Sequence, residues 1–459
     1  MDIHELRSSV TGQVLTEESA LAAVSGDFGR MKYKTPWAIL RPAGPKDIVA
    51  ALAFARRHRI PVSTRAQAHT QTGQALNEGG ILIDTNSLDK ILSVDRAAKT
   101  ATVQAGVIWR DLVEHVHPMG LVPPTLTNNL GVTIGGTVSV AGLGVASFRY
   151  GAQGDNTLEM EVVTGAGEIV QCSAEKNADL FDCARSGLGQ FGIITRAKVR
   201  LRACKPNVRI LFLLYDDLAA FMKDGVTLMG EPRVDHIESW CVPAPMGFKT
   251  LPGGEKQAFA QWFFPLHATV EFDGPPPDDG KILSGLSFYK VAHRENRALL
   301  DFLNRLEPLF AIWKRAGYWA NTHPWMECIL PWEAAQSYVD AILSELPPQA
   351  LGGGHILLWP SSGRTSSLPL FMRPDADWVM GFGILPGVPR QFLDIALPRL
   401  DQASDLSMAM GGKRYLSGYI NFDKERWRLH FGDKWATVCA AKKKYDPDGL
   451  LNPGFIDYD

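Results

Sequence analysis

Two glycine-dense turns constrain this chain more than any other feature: Gly135-Gly136-Thr137 and Gly187-Leu188-Gly189-Gln190-Phe191-Gly192. Between them lies a hairpin pattern, 158–163 and 169–172, closed by Thr164-Gly165-Ala166-Gly167. Glycines at strand ends let backbone approach a neighbour closely. Bare amides in such turns form anion-binding concavities, whereas a phosphate site read by side chains carries clustered Lys or Arg, and this stretch has few. Either turn alone is ordinary loop chemistry. Together, flanking strands, they read as the floor beneath one large, flat, anionic ligand.

The rest of the composition narrows the class. With 459 residues, 46% hydrophobic and 21% charged, the chain is an ordinary globular protein with room for two or three domains. A formal net charge of -2 gives no electrostatic footprint for nucleic acid or an anionic membrane. The opening residues carry Asp2, His4, Glu5 and Arg7 with no apolar core behind them, and no run long enough to span a membrane follows, so the expectation is a cytoplasmic protein. Six cysteines stand at wide spacings without CxxC or a Cys/His cluster, which predicts reduced thiols and no metal site.

Periodicity predicts an α+β fold. PKDIVAALAFARRHR, from Pro45, sets Ile48, Leu52 and Ala55 on one helical face, with proline at the start and arginines at the end. A strand over 60–64 then delivers the chain to the small, polar loop 65–74, suited to backbone contact with a pyrophosphate. A buried strand at 80–84 and a hairpin over 91–94 and 100–103 follow. Helices are expected at 107–117 and at 177–186, the latter capped by Asn177. No strand-GxGxxG-helix unit with a later acidic residue occurs, which excludes a Rossmann dinucleotide fold. Lys205-Pro206 breaks the pattern, placing a boundary near 203. Beyond it, strands are expected at 210–215, 268–272, 355–359 and 378–384, with helices at 297–313 and 332–343. The tail reads as one helix over 427–444 whose Lys442-Lys443-Lys444 is a solvated end.

The order and wording of these stretches resemble the vanillyl-alcohol-oxidase-type flavoproteins, with a PCMH-type FAD-binding domain, and within them the cytokinin dehydrogenases. The resemblance rests on 135–201, on RAQAHTQTGQA at 65–75, on His323-Pro324-Trp325, and on 413–454 with Tyr415-Leu416, Trp427, His430-Phe431-Gly432 and Lys444-Tyr445-Asp446-Pro447. It implies a two-subdomain FAD-binding domain over 1–202, an α+β substrate cap over 203–410 and a segment, 411–459, that returns to the FAD domain. It implies FAD held by Arg65, Ala66, Gln67, Ala68, His69, Thr70 and Gln74, by Thr133, Gly135, Ser139, Leu143 and Ile194, and by Tyr415 and Asn452. His69 falls on the family's flavin-attachment histidine, in Ala-His-Thr where relatives show Gly-His-Ser, implying a bond to the flavin 8α-methyl that raises its potential. No cysteine stands between Leu121 and Gly142 for a second attachment. At the end, Asn452-Pro453-Gly454-Phe455 replaces the relatives' Ser-Pro-Gly-Gln.

One position departs from the family in a way that matters chemically. Seven residues before Gly135, where the cytokinin dehydrogenases place the aspartate that takes the substrate's proton, stands Asn128. An amide orients a substrate but cannot ionise, and positioned base catalysis contributes roughly 10²–10⁴-fold. Tyr415 and His323 are the replacement candidates for proton handling, and the resemblance makes Trp325 a wall of the substrate cavity. The expected activity is removal of a hydride from a C–H next to N or O of a small molecule, with oxygen or a quinone-like acceptor as re-oxidant. Two alternatives stay open: an alcohol or sugar oxidase of the same fold, and a flavin-binding protein whose catalysis has decayed.

Overall fold

In the computed structural model, which describes residues 1–230 and 233–458, three large β-sheets carry the α+β chain. The first has four strands in the order Gln13–Leu15, Ala38–Arg41, Ile81–Asp84, Val62–Arg65, the last three parallel. The helix Pro45–His58 crosses it, starting at a proline and ending at Arg59 in the left-handed region. It buries Ile48, Ala51, Leu52 and Ala55 against Val62, Ile81 and Ile83. Removing Ile48 or Leu52 from water contributes about 1.5–3 kcal/mol each.

The second sheet is antiparallel: Ile91–Asp95, Thr100–Gln104, Gly192–Arg200, Thr157–Thr164, Ile169–Ser173. Its central strand is Gly192–Arg200, which leaves the second glycine turn and pairs on one side with the anticipated hairpin, whose outer strand Ile169–Ser173 is an edge of the sheet. The third sheet, eight antiparallel strands, is the largest: Lys290–Ala298, Asn207–Tyr215, Lys256–Phe272, His236–Thr250, His355–Ser362, Trp378–Leu385, Met326–Pro331, Lys413–Arg414. The C-terminal residues then reach the first sheet, where Val62 N donates to Leu450 O at 2.8 Å and Asn452 N to Val62 O at 2.9 Å.

Several local expectations are corrected. The helix expected over 297–313 is two, Leu299–Leu303 and Glu307–Arg315, because Arg297 and Ala298 finish a strand paired with Asn207–Tyr215. The helix over 427–444 is also two, Lys424–Phe431 and Trp435–Tyr445, broken where Gly432 takes φ +51. Asn177 precedes the helix Ala178–Ala184 but makes no cap hydrogen bond; its amide donates to Gln171 O. Lys442 is not solvated: its ammonium is buried on Gln190 O, Leu451 O and the Asp446 carboxylate at 2.7–3.0 Å. An i,i+4 pair on the helix face turned inward clamps the terminal turn, which a pattern of three lysines does not reveal. All six cysteines are free, and no metal-holding group occurs among the described residues.

Candidate active site

The two glycine turns lie side by side. Ser186 N donates to Val138 O and Leu188 N to Ser139 O, each at 2.9 Å, so the second turn hangs from the end of the short helix Ile134–Val138 that begins in the first. A Cβ on Gly135 would meet that of Ala105 at 2.8 Å, and one on Gly189 would meet Asn452 Nδ2 at 2.9 Å. Gly189 is also at φ +67. These glycines are required by close approach and conformation. Above them opens a cavity of about 720 Å³, of the size of a cofactor plus a small substrate.

The loop 65–74 forms one side of this cavity and is tied to the segment before the first parallel strand. Phe28 N donates to Ala68 O at 2.9 Å and Gly29 N to Thr70 O at 3.0 Å, while the buried Asp27 carboxylate accepts from Thr70 Oγ1 and Gly73 N. Ala68 is at φ +47, in the left-handed region that costs a non-glycine residue about 1–2 kcal/mol. The strained turn presents His69 to the cavity. Its imidazole lies 4.2 Å from the Phe28 ring and 5.8 Å, near-perpendicular, from Trp325. Burial, with His323 nearby, lowers its pKa to about 4, leaving a neutral ring with a free lone pair at neutral pH.

One face of the eight-stranded sheet is the ceiling. Alternation along its strands directs Glu238 and Trp240, His355 and Leu357, and Glu327 toward the cavity, and Trp325, just ahead of the strand Met326–Pro331, joins them. The helix Glu307–Arg315 closes the side with Leu309, Phe310 and Trp313, and an Arg110–Glu307 ion pair ties it to the lower layer. Arg305, just before that helix, donates from Nε and Nη2 to both carboxylate oxygens of Glu238 at 2.7 and 2.9 Å, and from Nη2 to Asn128 Oδ1 at 2.7 Å. Burial pushes the Glu238 carboxyl up, but the Arg305 charge and hydrogen bonds outweigh it and hold the group below its usual range. Glu327 differs. Ser417 Oγ donates to its Oε2 at 2.7 Å, and burial raises its pKa.

All the expected cofactor contacts line the cavity except Arg65. Its guanidinium turns away and donates to the carbonyls of Val24 and Gly26, at 3.2 and 2.8 Å. Of the four residues expected at the reacting end, Asn128, Trp325 and Tyr415 line the cavity. Tyr415 Oη accepts from Leu143 N at 3.3 Å, and burial raises its pKa despite that bond. His323 does not line it: the ring is stacked behind Phe28 at 4.3 Å, one aromatic layer away. Asn452 keeps its place at φ +44, which asparagine tolerates well, and donates from Nδ2 to Gly189 O at 2.8 Å. Sequence reasoning passed over Glu238, Arg305, Glu327 and His355. For Glu327 a signal existed: it stands two residues after Trp325, the same-face spacing of a strand.

The lining fits a large polar cofactor. Thr64 Oγ1, Gln71 Oε1, Asn452 Oδ1 and Trp325 Nε1 are buried without a hydrogen-bond partner among the described residues, and all four side chains border the cavity. Unpaired buried polar atoms are costly, and a ligand with heteroatoms along its length satisfies them.

Fold and site together define a flavin-binding oxidoreductase, and comparison with known proteins agrees. Residues 36–173 match the FAD binding domain family, and residues 279–456 match the family described as cytokinin dehydrogenase 1, FAD and cytokinin binding. Cytokinin dehydrogenase 3 of Oryza sativa subsp. japonica is 30% identical over 467 residues, covering 94% of this chain and 88% of that one. An uncharacterized oxidoreductase of the fasciation locus of Rhodococcoides fascians is 29% identical over 445 residues, covering 96% and 98%. The crystal structure of 6-hydroxy-D-nicotine oxidase from Arthrobacter nicotinovorans superposes with a TM-score of 0.74 over the full length of both chains at 19% identity, which establishes the two-domain PCMH-type fold. The chain belongs to the cytokinin dehydrogenase family and is an FAD-linked oxidoreductase. No helix among the described residues is long and apolar enough to cross a membrane.

Proposed function

We propose that this protein oxidises a small amine at the C–H next to nitrogen, in the manner of the cytokinin dehydrogenases. The observation that carries this reading is one cavity continuous from the paired glycine turns to the Trp325, Asn128 and Glu327 walls. Bound FAD supplies the hydride acceptor. The chain's own residues do the rest: Trp325 offers a flat face for a planar group, and Leu309, Phe310 and Trp313 exclude water from the reacting end. A guanidinium donates only, so Arg305 fixes the Asn128 amide with its oxygen engaged and its NH2 free to donate to a substrate heteroatom.

Attachment of FAD through His69 is part of the same proposal, supported by the neutral, cavity-facing imidazole. So is the division into a cofactor domain over 1–202, a cap over 203–410 and a returning tail over 411–459, which draws support from the separate sheets; the short strand Lys413–Arg414 still belongs to the cap sheet. Re-oxidation by oxygen or a quinone-like acceptor follows the family chemistry. The test is anaerobic mixing of holoprotein with N6-isopentenyladenine, benzylamine and primary alcohols while the oxidised flavin band is followed. Bleaching by an amine supports the reading. Bleaching by alcohols alone favours an alcohol oxidase, and none at all a protein of decayed catalysis.

A further inference from the structure

We propose that Glu327 is the group that takes the substrate's proton: its carboxylate accepts the hydrogen of the reacting nitrogen while the neighbouring carbon gives up its hydride. The inference rests on the amine-oxidation reading above. The C–H bond breaks with its electron pair leaving as hydride to FAD, the electrons of the N–H bond become the second bond of C=N, and the proton ends on a Glu327 oxygen.

Three observations converge on this residue. Glu327 is in the strand Met326–Pro331 next to Tyr415, whose N donates to Glu327 O at 3.0 Å and whose Oη is on Leu143 N at 3.3 Å, so the carboxyl reaches the cavity just above the floor. Secondly, no cation among the described residues is hydrogen-bonded to its carboxylate; burial raises its pKa and outweighs the nearby charge of Arg414. Its neighbours are Ser417, Tyr415, Cys328 and Arg414, and the Arg414 donors are spent on Glu327 O, Ser404 Oγ and Tyr419 O rather than on the carboxylate. Ser417 is its one side-chain hydrogen-bond partner among the described residues. Thirdly, the competitors are disabled. Glu238 is locked on Arg305, Asn128 cannot ionise, His323 stands behind Phe28, a neutral Tyr415 holds its proton, and the cavity-lining His69 and His355 are weak bases because burial lowers their pKa to about 4. A base works best with its pKa near the working pH, and burial moves Glu327 in that direction.

The test uses holoprotein and the variants E327Q, E238Q and S417A; Gln keeps the volume and the acceptor for Ser417. The absorbance of the oxidised flavin, followed against pH without substrate, is expected to show a step in the wild type and in E238Q that is absent in E327Q. In S417A the step moves to higher pH, because the lost hydrogen bond had favoured the ionised form. In anaerobic reduction by N6-isopentenyladenine or benzylamine, E327Q is expected to be about 10²–10⁴-fold slower, with the rise toward high pH gone. A step that persists in E327Q, or reduction of E327Q at the wild-type rate, overturns the assignment while leaving amine oxidation intact. A wild type reduced by no amine overturns both.

Discussion

Arg305 Nη2 donates to Asn128 Oδ1 at 2.7 Å while the same guanidinium grips Glu238. Asn128, at the position where the resemblance leads one to expect an aspartate, is therefore held by a cation as well as uncharged. An aspartate restored at 128 would face Arg305 directly and be kept ionised, and therefore weakly basic. Asn128→Asp is thus expected to raise flavin reduction by N6-isopentenyladenine by less than about 10²-fold, the floor of general-base effects. A larger gain in a stopped-flow trace would show that Arg305 releases the new carboxylate.

The same ion pair is nearly buried, with side-chain exposures of 10% for Arg305 and 7% for Glu238. Removing one partner strands the other. Arg305→Ala is expected to cost about 3–5 kcal/mol in denaturant unfolding, and Arg305→Met combined with Glu238→Leu to recover much of it. Equal losses in both variants would mean that the charge is not what the site needs.

Much of this site was legible in the residues. The glycine turns, the loop 65–74 and His323-Pro324-Trp325 are local and could be read in order. What could not be read is non-local. Arg305 and Asn128 are 177 positions apart, and nothing in either neighbourhood names the other. His323 was misjudged because a motif gives proximity to Trp325 but not the direction of the ring, which packing on Phe28 decides. Strands His236–Thr250 and Met326–Pro331 escaped notice since Glu238 and Glu327 interrupt the apolar pattern that marks a buried strand; those interruptions are the ceiling of the cavity.

Acid should loosen the fold. Burial lowers the pKa of His267, His323 and His355 to about 4, and burial with Lys413 and Arg414 nearby takes His430 to about 3. Each binds its proton in the unfolded chain near pH 6.5 but not in the folded one. Folded pKa values below unfolded ones give stability that is complete above about 6.5 and is lost as pH falls toward 4. Thermal unfolding is therefore expected at steadily lower temperature from pH 6.5 to 4.5. A constant Tm across that window would contradict the buried, neutral assignment.

For His69, denatured protein should keep its yellow colour through acid precipitation and fluoresce as a band on a denaturing gel. His69→Ala should release the flavin to the supernatant. Colour that leaves the wild-type pellet entirely would rule out attachment and leave FAD binding intact.

The most direct test of the central claim, that this cavity removes a hydride from a C–H beside nitrogen, is a single anaerobic turnover with amine carrying deuterium at that carbon. Flavin reduction is predicted to be several-fold slower than with the protiated amine at saturation, because the breaking bond is the one labelled. Reduction at the same rate with either isotope, with substrate binding shown to be faster than reduction, would contradict it.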